Sequence, residues 1–221
     1  MGLRGACQHM LRYAREHFEE VIRQVNATGD GLTFGVHSRI DETIETATAA
    51  SAAGNQYVNR NLIGAVVGVQ PFGGHGLSGT GPKAGGPLYL LRLLSQRPSP
   101  TMVEEGEVAG PVGEHNAYVS RPKGAILCVA SDQRQLQVQF DAVRGSGNRA
   151  VTDEAEGHIA AALFSGPAED LVEFCQRMAR RDGPIVPVFV APYPVDFLRS
   201  EVSLSVNTAS AGGNASLMAI G

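Results

Sequence analysis

The chain of 221 residues has no tryptophan, three cysteines and six histidines. Cys7, Cys128 and Cys175 are isolated along the chain and odd in number, which argues against a disulfide framework and against a zinc site. No pair of histidines has the HxxxH or HExxH spacing of a metal site. The sequence therefore predicts neither disulfides nor a bound metal. Cys128 and Cys175 are expected to be ordinary buried cysteines.

Long apolar segments and an excess of basic charge are also missing. No span of 18 apolar residues exists and the first 25 residues contain no signal-peptide core, so we expect a cytoplasmic protein without a transmembrane segment. A formal net charge of −4 and the absence of a basic run predict no nucleic-acid partner. A hydrophobic content of 43% is typical of a globular chain with a core.

Glycine, in contrast, is concentrated in one segment, GAVVGVQPFGGHGLSGTGPKAGGP (residues 64–87), with nine glycines and three prolines. It contains a literal GxGxxG from Gly74 to Gly79. A dinucleotide fingerprint needs a helix that begins at the motif, and the glycines and prolines that follow prevent one. Lys83 follows Pro82 and precedes no Ser or Thr, so a Walker-type phosphate loop fails as well. This segment is predicted to be a shaped loop and not a cofactor site.

Apolar spacing around this segment predicts alternating helices and strands. We expect a helix over residues 14–26, a strand over 32–37, a helix from a Ser38–Asp41 box to a Gly54 C-terminus, strands over 56–61 and 65–69, and a docking apolar run over 88–94. Residues 95–111 are rich in Pro, Ser, Glu and Gly, which indicates a linker.

Downstream of the linker, strands over 125–130, 159–165 and 185–191 alternate with helices over 132–143 and 169–181. This order is typical of βαβ units and a small parallel sheet. Ser131 and Asp132 follow the first strand and are expected to cap a helix, since no phosphate loop is present. Residues 203–221 carry no Lys, Arg, Asp or Glu, which predicts a tail docked on protein.

Two stretches carry a family resemblance: GLTFGVHSRIDETI, followed by AGNQYVNRNLIGAVVGVQPFGGHGLSGTGPKAGGPLYLLRLL. They closely resemble the C-terminal end of the aldehyde dehydrogenase module in the proline utilization A family, over residues 10–95. The tail SVNTASAGGNASLMAIG resembles the terminal motif of that family. The resemblance implies an α/β fold with an aldehyde dehydrogenase end (1–97), a linker (98–111), a small βαβ domain that resembles a degenerate aldehyde dehydrogenase fold (112–202) and a docked tail (203–221). The middle region looks shorter than usual around residues 146–157.

The same resemblance implies a reaction, the NAD-dependent oxidation of L-glutamate γ-semialdehyde to glutamate in proline catabolism. In the family a cysteine attacks the aldehyde and a glutamate activates water. Both residues and the NAD-binding region lie upstream of the sequence present here, and FAD belongs to the proline dehydrogenase domain. Cys7, Cys128 and Cys175 match no nucleophile motif. No catalytic residue and no cofactor-binding residue is therefore expected in this chain.

The substrate-binding residues do carry over through the resemblance. Gly64 and Ala65 correspond to the loop whose backbone N–H groups bind the α-carboxylate of the substrate, and Phe72 corresponds to the aromatic wall beside its aliphatic part. Without the family, Gly64 is read as a turn and Phe72 as a core aromatic. Asn59 is expected to be a structural residue that joins strand ends. His75 stands where the family has an acidic residue, and we expect it to be solvated and without a role.

Matching to the family stops just before Leu11, where the sequence reads MGLRGACQHM. The expectation is a C-terminal piece of a larger enzyme that is inactive alone. An alternative is a non-catalytic module that serves assembly or covers a substrate tunnel; a nucleotide-binding regulator is disfavoured by the missing phosphate loop. Self-association is expected through apolar side chains that would otherwise contact the parent enzyme: Val66, Val67, Leu88, Leu90, Leu91 and Leu94.

Overall fold

The computed structural model describes residues 11–62, 65–66, 68–94 and 106–209. Over these residues the helices are α1 (Phe18–Ala27), α2 (Asp41–Ala50), α3 (Pro87–Leu93), α4 (Gln133–Gly145) and α5 (Ala168–Ala179). The strands are β1 (Asp30–Gly31), β2 (Thr33–Val36), β3 (Asn55–Val58), β4 (His75–Gly76), β5 (Gly106–Val108), β6 (Glu114–Pro122), β7 (Ala125–Ala130), β8 (Arg149–Val151), β9 (Ala161–Ser165), β10 (Val188–Val190) and β11 (Arg199–Asn207). Within the same residues, no helix is both long and apolar enough to cross a membrane.

One five-stranded sheet takes strands from both halves of the chain, in the order β2-β3-β11-β6-β5. Strands β2, β3 and β11 run parallel, with Tyr57 of β3 opposite Ser205 of β11. Strand β6 pairs antiparallel with β11 along nine positions. Strand β11 is thus paired on both sides, with β3 and with β6. Its side chains Glu201 and Ser203 bond to the glycine-rich segment, at Lys83 and Pro71. Strand β5 falls inside the range predicted as a linker, and the division into domains stays a prediction.

A second, four-stranded sheet has the order β10-β9-β7-β8, and all of its strands are parallel. Helix α4 connects β7 to β8, and α5 connects β9 to β10. The alternation of strands and helices confirms the predicted α/β fold and the βαβ units. Asp132 caps α4 as expected, since its side chain accepts from the Gln135 N–H at 2.8 Å. The core on one face packs Leu127 and Phe164 against Phe174 and Met178 of α5.

Two local expectations in the first part of the chain are wrong. Ser38 does not cap α2, because its Oγ accepts from the Ile40 N–H and the helix begins at Asp41. Helix α2 ends at Ala50, so Gly54 is not its C-terminal residue. Gly54 lies where the chain passes against Gly73, and a side chain there would collide with the Gly73 carbonyl.

The strand expected over residues 65–69 is also wrong, because the described part of that segment is a turn. The Val69 and Gln70 N–H groups both donate to the Val66 carbonyl, at 3.1 and 3.0 Å. Gly68 has a φ of +83°, in the left-handed region that glycine adopts without strain. A run of apolar residues can therefore be a tight turn when one of them is glycine.

Surface exposure corrects two further expectations. Cys128 is buried, but Cys175 is exposed, because α5 buries Phe174 and Met178 and the next position points away. In α3, Leu88 is buried within the chain, whereas Leu90 and Leu93 are each 70% exposed. The exposed part of the α3 face keeps the prediction of self-association in place; Val67 lies outside the described residues.

Candidate functional site

The GxGxxG of the glycine-rich segment forms a strand and a turn. Strand β4 pairs with β1, and the Ser78 N–H donates to the His75 carbonyl at 3.0 Å. A Cβ on Gly76 would collide with the Gly29 carbonyl, and one on Gly79 would lie 2.7 Å from the Gly74 oxygen. These glycines permit close contact between backbones, and the next helix begins only at Pro87. The motif therefore does not fit the pyrophosphate of a dinucleotide.

Of the two anchor residues, Gly64 lies outside the described residues, and Ala65 lies directly before the turn over residues 66–70. Among the residues that the structure describes, the Ala65 N–H has no protein acceptor. The neighbouring Val66 N–H is already used, because it donates to Gln70 Oε1 at 3.2 Å. Within the described residues, the Ala65 N–H is thus an unbonded backbone donor next to one that stabilises the turn, and its role in carboxylate binding stays a prediction.

Phe72 is the other predicted site residue, and its backbone is fixed on both sides. It exchanges two backbone hydrogen bonds with Ala84, at 3.0 and 2.9 Å, which closes the glycine-rich segment into a loop. The preceding carbonyl, of Pro71, accepts from Ser203 Oγ on β11 at 2.5 Å. The Phe72 side chain is half-buried and belongs to none of the core clusters of the described residues. The role of Phe72 as a substrate wall stays a prediction.

Asn59 has the structural role that the sequence predicts. Its φ of 56° lies in the left-handed region, where Asn is tolerated better than most residues. Its side chain accepts from the Ser38 N–H at 2.9 Å and donates to the Ser38 carbonyl at 2.8 Å. These two bonds join the segments that leave β2 and β3 at the same edge of the sheet.

A buried polar cluster behind the loop was missed by sequence reasoning. Lys83 is 1% exposed, and its Nζ donates to Asn55 Oδ1 at 2.7 Å and to the Gly73 carbonyl at 2.9 Å. The Glu201 carboxylate accepts from the Lys83 backbone N–H at 2.7 Å and from the Tyr118 hydroxyl at 2.8 Å. Burial lowers the pKa of Lys83 to about 7, although the negative charge of Glu201 acts in the opposite direction and raises it. The cluster fastens the loop to β3, β6 and β11.

His75 lies beside this cluster, and the expectation that it is solvated is wrong. Its Nε2 is 2.8 Å from the Glu201 carbonyl oxygen, and the residue is half-buried. Burial lowers the pKa of His75 to about 4, with the positive charge of Lys83 acting in the same direction. At neutral pH the imidazole is therefore uncharged and donates to this carbonyl.

A cavity of about 580 Å³ lies between the glycine-rich segment and residues of the second half of the chain. Lys123, Arg92 and Glu201 are among its lining residues, and burial lowers the pKa of Lys123 to about 8. Ala65 and Phe72 do not line it. The cavity and the predicted anchor residues are thus separate places on the described chain. Among the described residues, no group of three His, Cys, Asp or Glu side chains could hold a metal ion.

Comparison with known proteins identifies the first part of the chain. The model of the Aldehyde dehydrogenase family matches residues 10–97. This segment is therefore similar to the aldehyde dehydrogenase family. The similarity includes β2, β3, the glycine-rich segment and α3, as the motifs of the sequence predict.

Relatives of this aldehyde dehydrogenase segment extend over the remaining residues. The chain is 39% identical to the "Bifunctional protein PutA" of Rhizobium meliloti over 98% of its own length and 24% of the relative. That alignment has 291 positions, so the relative has residues that this chain lacks. The mitochondrial "Delta-1-pyrroline-5-carboxylate dehydrogenase" of Bos taurus is 41% identical over 46% of this chain and 18% of its own length. The resemblance to proline utilization A is confirmed.

A solved structure supports the fold. Proline Utilization A (PutA) from Corynebacterium freiburgense superposes with a TM-score of 0.67, over 87% of this chain and 24% of that chain. At 23% identity this likeness shows the fold alone. The chain spans about a quarter of the length of the PutA proteins it matches.

Proposed function

We propose that this chain is the C-terminal part of an L-glutamate γ-semialdehyde (Δ1-pyrroline-5-carboxylate) dehydrogenase of proline catabolism. In this proposal its own contribution is to bind the α-carboxylate of the aldehyde. The observation that carries the proposal is the Ala65 N–H, which has no protein acceptor among the described residues and lies at the start of a fixed turn. The printed names of the relatives, PutA and Delta-1-pyrroline-5-carboxylate dehydrogenase, support the substrate class.

The chemistry of this loop suits a carboxylate. Backbone N–H groups that point into a shallow concavity bind anions, and a small side chain at position 65 leaves the donor accessible. A hydrogen bond to a charged acceptor contributes about 1.5–3 kcal/mol. Phe72 follows shortly after the turn and would contact the methylene groups between the carboxylate and the aldehyde. The loop thus orients the substrate, and the reacting atoms lie beyond it.

Bond making and bond breaking are assigned to residues outside this chain. Cys128 is buried in β7, and burial raises the pKa of its thiol to about 11, so it is protonated at neutral pH. Cys175 lies on the exposed face of α5 and matches no nucleophile motif. NAD is the oxidant that the family implies, but the glycine motif does not fit it. We therefore expect the chain alone to be inactive.

The test uses a chimera in which this chain replaces the corresponding C-terminal quarter of Rhizobium meliloti PutA. Ala65→Pro removes the N–H, and Ala65→Ser is the matched control that keeps it. We expect Ala65→Pro to lower kcat/KM for the semialdehyde by about 10-fold to 150-fold. Activity toward a short aldehyde without a carboxylate should change by less than about twofold, because that substrate does not use the N–H.

An equal loss for both aldehydes in Ala65→Pro would refute the carboxylate role. No loss in kcat/KM with either aldehyde would refute it as well. NAD reduction is followed spectrophotometrically, so the two substrates are compared on one enzyme preparation.

A specific observation also favours an assembly role for the second half of the chain. Strands β11 and β6 complete the sheet that β2 and β3 begin, so this half stabilises the aldehyde dehydrogenase segment. Mixing the chain with a separately produced upstream fragment distinguishes the two roles. Restored dehydrogenase turnover supports the enzyme role, whereas binding without turnover supports a module used only for assembly. The tail motif over residues 210–221 lies outside the described residues.

A further inference from the structure

Gln70 is a buried amide that uses both ends of its side chain. It is 7% exposed, and it lies at the end of the turn that follows Ala65. Its Oε1 accepts from the Val66 N–H at 3.2 Å. Its Nε2 donates to Asn116 Oδ1 on β6 at 2.8 Å and to Ser205 Oγ on β11 at 3.1 Å. One side chain therefore links the first residues of the turn to two strands of the second half of the chain.

The acceptors of the Gln70 amide are themselves fixed. Asn116 and Ser205 are paired across the β6–β11 ladder, and both are at most 3% exposed. Ser205 also accepts from the Arg60 guanidinium, which forms an ion pair with Glu114 at 2.9 Å. The Glu114 carboxylate lies 3.5 Å from Gln70 Nε2. Gln70 thus donates into a group of acceptors that two sheet strands hold in place.

Strand β11 contacts the same stretch of chain a second time. Ser203 and Ser205 lie two residues apart and on one face of β11. The first donates to the Pro71 carbonyl, and the second accepts from the Gln70 amide. Residues 70 and 71 are therefore aligned with β11. Of the predicted site residues, Phe72 follows this dipeptide directly, and Ala65 precedes Val66, whose N–H bonds to Gln70.

The turn has few other supports among the described residues. Two backbone hydrogen bonds to the Val66 carbonyl close it, and a Cβ added to Gly68 within it would meet no other atom within 4 Å. A glycine without packing contacts leaves the backbone free to change conformation. Gln70 thus fixes Val66, the residue after Ala65, relative to the sheet.

We infer that Gln70 is a positioning residue for substrate carboxylate binding and that it couples the turn to Asn116 and Ser205. The inference rests on the proposed function of Ala65. Its physical basis is the free-energy cost of leaving a buried amide without hydrogen-bond partners. If the turn moved, the Gln70 amide would lose Asn116 and Ser205, so this cost holds the turn in place. The second half of the chain thereby sets the affinity of a site that it does not itself form.

The variants separate the two ends of the amide. Gln70→Leu removes both sets of hydrogen bonds at similar volume, and Gln70→Glu keeps an acceptor for Val66 and removes the donors. Asn116→Leu removes the acceptor on β6. Gln24→Leu is the matched control, since Gln24 lies on α1 and its amide bonds only with the neighbouring Glu20 among the described residues.

In the chimera described above, we expect Gln70→Leu to lower kcat/KM for the semialdehyde by about 10-fold or more, mainly through KM, for the loss of buried hydrogen bonds. Activity toward an aldehyde without a carboxylate should change by less than about twofold, as should both activities of Gln24→Leu. The Gln70→Leu/Asn116→Leu double variant should lose less than the product of the two single losses, because the residues act as a unit. Multiplicative losses, or equal losses for both aldehydes, would overturn the inference.

Hydrogen exchange on this chain alone, with and without Gln70→Leu, gives a readout that does not depend on activity. Gln70→Leu should increase the exchange rate of the Val66 amide by about 10-fold or more, while amides in β9 keep their rates. An unchanged exchange rate of the Val66 amide refutes the coupling between Gln70 and the turn, independently of the result with Ala65→Pro. If Ala65→Pro has no effect on the chimera, the proposed function fails; if Ala65→Pro acts selectively and Gln70→Leu does not, only the positioning role of Gln70 fails.

Discussion

The buried Lys83 makes the stability of the chain depend on pH in a direction that can be measured. Its ammonium group donates to two neutral oxygens and has no direct carboxylate partner on Nζ among the described residues. The charged groups nearest to it include Glu201, which binds its backbone N–H, while the neighbouring His75 is uncharged at neutral pH. Replacing it by methionine, Lys83→Met, removes the titrating group and keeps a side chain of similar length.

The magnitude follows from the two pKa values of Lys83. In the folded chain its pKa is about 7, and in an unfolded chain it is about 10.4. Between these values the unfolded state binds the additional proton, so the free energy of unfolding increases as the pH rises. The expected gain is about 1 kcal/mol from pH 7 to 8 and about 1.3 kcal/mol from pH 8 to 9. Well below pH 7 the Lys83 side chain is protonated in both the folded and the unfolded state, so it no longer makes the free energy of unfolding depend on pH.

The assay is urea denaturation followed by far-UV circular dichroism at pH 7, 8 and 9, since the chain has no tryptophan. The original chain should gain stability over this range, and Lys83→Met should gain about 2 kcal/mol less. Burial lowers the pKa of Lys123 to about 8, so Lys123→Met is measured in parallel to remove its own contribution. Equal pH slopes for Lys83→Met and the original chain would show that Lys83 keeps an ordinary pKa, and the reasoning would be refuted.

Three other predictions concern the surface, a strained residue and the cysteines. Leu90→Gln with Leu93→Gln should reduce self-association, measured as molar mass by light scattering, because the two side chains form an exposed apolar face; an unchanged mass contradicts this. Asn59→Ala should lower the free energy of unfolding by about 2–3 kcal/mol, and Asn59→Gly should lower it by less, because glycine tolerates the positive φ. Urea denaturation measures both losses, and a larger loss for Asn59→Gly contradicts this prediction. Cys175 should react with a thiol reagent in the folded chain, and Cys128 only on unfolding; mass spectrometry of labelled peptides locates the label, and early labelling of Cys128 contradicts the prediction.

Local sequence patterns were sufficient for most of the βαβ half of the chain, but they missed the short strand β8 (Arg149–Val151). Strand β7 (Ala125–Ala130) lies where the run AILCVA predicts it, and α4 begins after Asp132 because an aspartate at that position satisfies the first helical N–H groups. Cys175 was misplaced because the apolar spacing on α5 also allowed it on the buried face. Packing of Phe174 and Met178 decided between these faces.

The five-stranded sheet could not be predicted in the same way. Strand β6 (Glu114–Pro122) contains mostly polar residues, and all of its partners in β11 are distant along the chain, so no short-range pattern reveals that pairing. Part of the candidate site depends on such pairs. The family motif pointed to Gly64, Ala65 and Phe72, but Gln70 gains its role from Asn116 and Ser205, and Lys83 gains its role from Glu201, 118 positions later.

The parallel pairing of β11 with β3 has a consequence for how the chain folds during synthesis. Strand β3 ends at Val58, and its second neighbour in the sheet is complete only at Asn207. At ribosomal rates of about 5–20 residues per second, roughly 7–30 seconds separate the emergence of the two strands. Throughout that interval one edge of β3 is unpaired, and an unpaired edge can join another chain. During this interval, β3 can pair with a strand of another nascent copy on the same messenger. The strands of the βαβ half are exposed to such misassembly for a shorter time, because they emerge within seconds of each other.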